Sequence, residues 1–189
     1  MRLFAAVLPP EEAVRELAPV VDGLRRLRGA DALRWTGRPG WHFTLAFYGE
    51  VDEETVPDLS RRLARAAAHT PLFPLALSGG GHFGDRALWA GAAGDLRTMR
   101  LLADRAETAG RKAGVDSGGH RRYRPHLTLA RSRLATDLRP FAAALAPFAG
   151  REWTAGALCL VRSELPRSGV PGELPHYDTV ERWELGAGE

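Results

Sequence analysis

His42-Phe43-Thr44-Leu45-Ala46 and His126-Leu127-Thr128-Leu129-Ala130 are near-copies of one five-residue stretch, and their reading decides the fold. One His-x-Thr is a common accident. Two copies of His-apolar-Thr-Leu-Ala in a chain with six histidines form an internal repeat. Both read as strands, in which successive side chains point to opposite faces. Strict alternation puts His42, Thr44 and Ala46 on one face, with Phe43, Leu45 and Phe47 on the other. In the second copy His126, Thr128 and Ala130 oppose Leu127 and Leu129. The apolar faces belong to a core. The other faces offer an imidazole, a hydroxyl and then a small residue that leaves room.

The surroundings of the repeat are mixed. Upstream, Arg2 to Leu8 reads as a buried strand stopped by Pro9-Pro10, and Glu11 to Leu27 as a helix that Pro19 should kink or split. Leu33 to Thr36 is a short strand, and Trp41 to Tyr48 is the strand of the first motif. A helix is expected over Asp52 to His69 with Asp52 as its cap. Strands at Leu72 to Leu77 and Ala87 to Ala92 should flank a bend at Gly79-Gly80-Gly81. The second half runs in the same order. A helix over Asp95 to Ala113 leads through a basic loop, Gly118 to Arg124, into a strand from Pro125 to Arg131. A short helix near Asp137 to Leu145 and strands at Ala155 to Leu165 and Tyr177 to Leu185 follow. Short turns between neighbouring strands favour antiparallel pairing. The expected class is α+β: one domain over residues 1–189, made of two similar lobes, with two mainly antiparallel sheets flanked by helices around a central cleft.

Composition excludes several classes of function. Hydrophobic residues make up 44% and charged residues 26% of 189 positions, which suits a folded domain with a real core. The net charge of +3 is carried almost wholly by arginine, Lys112 being the one lysine; arginine suits bidentate contact with phosphate. The single cysteine, Cys159, lies in an apolar run and reads as a small buried hydrophobe, which leaves no disulfide framework and no cysteine-based zinc site. The apolar start is too short for a signal peptide, and no stretch is long enough to span a bilayer, so a cytoplasmic location is expected.

If the two motifs face each other, two imidazoles and two hydroxyls converge on one cleft. That set matches a phosphodiester. A neutral imidazole takes a proton from an attacking water or hydroxyl while its protonated partner gives one to the leaving oxygen. Thr44 and Thr128 hold non-bridging oxygens, and an arginine offsets the charge. Metal-binding spacings such as His-x-His with nearby carboxylates are missing, so neither a metal nor another cofactor is expected. The plainer alternative is a pair of structural histidines bonded to backbone carbonyls.

With these motifs the sequence resembles the two-histidine (2H) phosphoesterases, and among them the RNA 2′,3′-cyclic phosphodiesterases also described as RNA 2′-5′ ligases. The resemblance extends over Arg2 to Ala6, Arg34-Trp35, Phe47 to Val51, Phe83-Gly84, Leu88 to Gly91, Pro125, Arg131, Ser163 to Leu165 and Tyr177. It implies a bilobal, pseudo-twofold fold with the histidines in the cleft. It implies hydrolysis of RNA 2′,3′-cyclic phosphate ends to 2′-phosphates, with 2′-5′ ligation as the reverse, on RNA ends or tRNA fragments and without an obligate protein partner. By this resemblance His42 is the proton donor and His126 the acceptor; the residues themselves leave the roles open.

Arg131 sits where the resemblance implies a phosphate-contacting arginine, yet alternation puts it on the side of Leu127 and Leu129. The run Arg121-Arg122-Tyr123-Arg124 could guide an RNA backbone, with Tyr123 stacking on a base, although a solvated basic loop is the plainer reading. His69, His82, His120 and His176 lack the motif and are expected to be structural or exposed. Two rivals remain at this stage: a phosphodiesterase of a small cyclic nucleotide, and a non-catalytic RNA-binding module that relies on charge rather than imidazole.

Overall fold

The computed structural model describes residues 1–116 and 122–188. Of the basic loop expected over 118–124, residues 118–121 lie outside that range, His120 and Arg121 among them. In chain order the elements are β1 (Arg2–Val7), α1 (Glu11–Leu24), β2 (Leu33–Trp35), β3 (Phe43–Glu50), α2 (Val56–Ala68), β4 (Phe73–Phe83), β5 (Ala87–Gly94), α3 (Leu96–Lys112), β6 (Leu127–Ser132), α4 (Arg139–Leu145), β7 (Trp153–Ala155), β8 (Ala157–Glu164) and β9 (His176–Glu184).

The strands run β7-β4-β5-β6-β3-β1-β8-β9, with β2 also on β6, and every pairing is antiparallel. The α+β class holds, but the two expected sheets are joined through β3 and β6 into one nine-stranded sheet. Phe43 opposite Leu127 is the one ladder pair between β3 and β6. One half of the sheet carries β3, β1, β8 and β9, the other β6, β5, β4, β7 and β2. Helices α2 and α3 cover the first half, α1 and α4 the second. The chain therefore crosses over: α3 follows β5 yet packs on β3. What holds it there is specific. The buried Tyr48 hydroxyl donates to the Ala106 carbonyl at 2.8 Å, and a Cβ on Gly110 would lie 2.6 Å from the Tyr48 ring, so only glycine fits.

Local chemistry explains where the elements depart from expectation. Helix α1 is continuous through Pro19. Pro19 and Arg15 are both exposed, so the carbonyl that loses its partner can turn to water. Helix α2 begins at Val56 rather than at Asp52, because Pro57 suits a first turn; residues 52–55 form a turn closed by the Thr55 amide donating to the Asp52 carbonyl. The glycines at 79–81 do not form the bend. Strand β4 runs through them, and the hairpin turns at 84–86. A Cβ on Gly80 would sit 2.6 Å from the Trp89 carbonyl oxygen, and one on Gly81 2.6 Å from the Trp89 ring. These glycines make room for Trp89.

The two motif strands share an irregularity that alternation could not foresee. Along β1, Ala6 pairs with Thr44 and Ala5 with Ala46, so Leu45 is skipped. Along β5, Trp89 pairs with Thr128 and Leu88 with Ala130, so Leu129 is skipped. Each motif thus carries a β-bulge at the leucine after its threonine, which reverses the facing of the residues just beyond it. Leu45-Ala46 and Leu129-Ala130 are consecutive buried pairs as a result. Ala46 and Ala130 belong to the core rather than to the histidine face.

Candidate active site

The one-pair junction sets the geometry. Carrying the antiparallel register one residue either way from Phe43 and Leu127 puts His42 opposite Thr128 and Thr44 opposite His126. Both histidines directly precede their strands, and the sheet parts on either side of the pair. His42, Thr44, His126, Thr128 and Arg131 all line a single open cleft of about 1600 Å³.

Each imidazole is held through the backbone two residues before it. His126 Nδ1 lies 2.8 Å from the Arg124 carbonyl oxygen, and His42 has a hydrogen bond with the backbone of Gly40. A carbonyl can only accept, so Nδ1 of His126 carries the proton and Nε2 of the neutral ring is a free base. The rings also have aromatic supports. His42 stacks on Phe4 at 4.5 Å with Tyr177 at 5.6 Å; His126 meets Phe83 edge-on at 4.9 Å with Trp89 at 6.2 Å. Gly40 permits the Tyr177 approach, since a Cβ there would be 2.9 Å from that ring.

These surroundings disfavour the charged imidazoles. Burial pushes His42 down to about 4 against the pull of its Gly40 hydrogen bond, and the charges of His126 and Arg131 add to the lowering. Burial likewise lowers His126 against its bond to the Arg124 backbone, helped by Arg131 and Arg124. Both rings are poised to be neutral at neutral pH and to take up a proton beside an anion.

Arg131 requires a correction to strand parity. Arg131 pairs with Ala87 and Thr128 with Trp89, and Ala87 and Trp89 share a face of β5; Arg131 therefore shares the face of Thr128. The bulge at Leu129 is the cause. The same count moves Phe47 off the core. It pairs with Phe4 while Thr44 pairs with Ala6, so Phe47 lies on the cleft face, 42% exposed, with the Arg2 guanidinium 4.8 Å over its ring.

The basic segment divides. Arg122 is exposed, and Arg124 lies 5.9 Å over the Trp89 ring. Tyr123 packs against the main core, and its buried hydroxyl has no hydrogen-bond partner among the described residues. Its ring is thus not offered freely to a base, although all three residues line the cleft. Of the other histidines, His82 Nδ1 meets the Gly84 carbonyl at 2.7 Å in the hairpin turn, and His176 pairs with Asp178 at 3.0 Å. Phe4, Phe47, Phe83, Trp89 and Tyr177 form the walls that a motif reading did not single out. Consecutive apolar residues inside an alternating strand were the signal that could have placed Phe47 and Arg131.

The 2′-5′ RNA ligase superfamily profile matches residues 9–167. The chain belongs to that superfamily. Among its relatives, a Thermus thermophilus protein named RNA 2′,3′-cyclic phosphodiesterase is 36% identical over 197 residues, covering 98% of this chain and 90% of the relative. A Thermotoga maritima protein of the same name is 28% identical over 142 residues, covering 72% of this chain and 73% of that one. The crystal structure of TT0787 from Thermus thermophilus superposes over 100% of both chains with a TM-score of 0.76 and 31% identity. That of Escherichia coli LigT in its apo form gives 0.74 and 25% identity over 97% of this chain and 96% of LigT. The 2H phosphoesterase fold that the resemblance implied is the fold of this ligase-superfamily member. Among its described residues no helix is long and apolar enough to cross a membrane, and no group of three or more His, Cys, Asp or Glu side chains is set to hold a metal.

Proposed function

We propose that this protein hydrolyses the 2′,3′-cyclic phosphate at RNA ends to a 2′-phosphomonoester, by paired histidine acid–base chemistry that needs no metal. The observation that carries the reading is the Phe43–Leu127 junction, which brings one His-x-Thr motif from each half of the sheet to the same cleft. In this reading the chain works as one domain whose two halves each supply a motif. The named relatives supply the substrate class.

Water attacks the phosphorus of the cyclic diester and loses its proton to His126 Nε2, the ring nitrogen that the Arg124 hydrogen bond leaves basic. The P–O3′ bond breaks, and protonated His42 gives its proton to O3′, leaving a free 3′-hydroxyl and a 2′-phosphate. Thr44 and Thr128 donate to the non-bridging oxygens, and Arg131 offsets the charge that builds up on them. The diester's own negative charge loads His42, whose burial otherwise makes it a poor proton carrier at neutral pH. With a 5′-hydroxyl of a second strand in place of water, the same step opens the cyclic phosphate into a 2′-5′ link, and its reversal cleaves that link.

The test is incubation of a short oligoribonucleotide ending in a 2′,3′-cyclic phosphate, with excess chelator, followed by identification of the end produced. A 2′-phosphate is expected. A 3′-phosphate overturns the regiochemistry, and loss of turnover in chelator overturns the metal-free mechanism.

A further inference from the structure

Arg34 stands directly opposite Arg131 in the β2–β6 ladder. Residues opposite each other in an antiparallel pair project from the same face, so Arg34 shares the catalytic face with Arg131 and Thr128, and both arginines line the cleft. Like charges at directly opposed positions disfavour folding, and this pair is not offset by ion pairing: among the described residues neither arginine has a carboxylate within ion-pair distance. Arg34 is not loose, however. Its Nη2 donates to the Glu173 backbone carbonyl at 2.8 Å, while the Glu173 carboxylate accepts from Ser168 instead. One donor of the guanidinium is thereby fixed and the others stay free for an oxygen-rich anion.

The two arginines differ in reach. Arg131 acts on His42, His126 and Tyr177. Arg34 acts on Tyr177, at the edge of the His42 pocket. Strand β2 shares with β3 the edge of β6 that β5 leaves open, but at the far end of the strand: Arg34 is level with Arg131, three residues past Thr128, and its guanidinium is tied to the Glu173 carbonyl. A phosphate gripped by Arg34 is therefore a different phosphate from the one between the imidazoles, and a neighbouring one.

We propose that Arg34 binds the 5′-phosphate of the terminal nucleotide, the backbone phosphate next to the cyclic end, and so makes the enzyme favour RNA ends over free nucleoside 2′,3′-cyclic phosphates. The inference rests on the phosphodiesterase reading and names the feature of the substrate that this reading leaves open. A nucleoside 2′,3′-cyclic phosphate lacks that second phosphate; an RNA end always has it.

The test compares adenosine 2′,3′-cyclic phosphate with the same compound carrying a 5′-phosphate, in the intact protein and in Arg34→Gln and Arg34→Lys. In the unaltered protein the 5′-phosphate should raise kcat/KM roughly tenfold, through KM rather than kcat, as one charge-assisted contact in an open cleft would. Arg34→Gln should bring that ratio close to one, and Arg34→Lys should recover part of it, which also shows that loss in the glutamine variant is not misfolding. Calorimetric binding of 2′-AMP against adenosine 2′,5′-bisphosphate gives the same comparison without turnover. A 5′-phosphate advantage that is absent in the unaltered protein, or equal in Arg34→Gln, overturns the inference. Absence of turnover together with an Arg34-dependent binding advantage overturns the phosphodiesterase reading and leaves the arginine pair as a backbone-phosphate site.

Discussion

Phe43 lies opposite Leu127, and that single pair joins the two halves of the sheet at the point where the two histidines begin their strands. Both side chains are fully buried. Phe43→Ala should therefore cost about 3–5 kcal/mol in stability, the usual result of emptying a packed aromatic site. It should also lower turnover beyond what the unfolded fraction explains, because the motifs lose their common hinge. Denaturant melts and activity per folded molecule measure the two effects separately. Full activity in the folded fraction would show that the junction does not align the motifs.

His42→Ala and His126→Ala should each reduce turnover by about two to four orders of magnitude, with the double variant little worse than either. The comparison requires single-turnover rates on the cyclic-ended oligonucleotide. Additive losses would mean that the two rings do not act in one transition state.

Folding should depend on pH through His42. Its folded value of about 4 lies below the ordinary 6.5, so between those values the unfolded chain binds more protons and stability rises with pH. The contribution is complete above about pH 6.5 and is lost as pH falls towards 4, amounting to at most about 3 kcal/mol. His126 acts in the same direction. Urea midpoints measured from pH 4 to 7.5 should climb steeply in the intact protein and less so in His42→Gln. Equal slopes would rule out a depressed His42.

An anion should restore the lost proton. Binding of 2′-AMP between the two imidazoles raises both toward protonation, so the complex takes up protons from a neutral solution and affinity falls as pH rises. Calorimetry in buffers of different ionisation enthalpy reads the uptake directly. Binding with no proton exchange between pH 6 and 7 would place the ligand away from the rings.

Gly81→Ala tests the close approach of Trp89. The added Cβ would lie 2.6 Å from that ring, which in turn packs near His126. A loss of about 1–3 kcal/mol is expected from overpacking, together with reduced activity. Unchanged melting and turnover would mean that Trp89 moves aside without consequence.

The amino-acid order determined much of this protein. A repeated His-x-Thr in strand-like context was enough to expect both histidines and both threonines on one cleft, which all four line, because a side chain's facing within a few residues of strand follows from local geometry alone. Helical spacing likewise located α3, and the structure adds that Asp95 caps it, its carboxylate accepting from the Thr98 amide. What the order could not convey was pairing. A bulge exists only between two strands, so the return of Arg131 to the face of Thr128 and the departure of Phe47 from the core depended on how β6 meets β5 and how β3 meets β1. Glycines 80 and 81 read locally as a turn, whereas their role is set by a tryptophan on the next strand. The depressed imidazoles and the Arg34–Arg131 opposition belong to the same class. Burial and charge at a site are sums over neighbours distant in sequence, and only the folded chain brings those neighbours together.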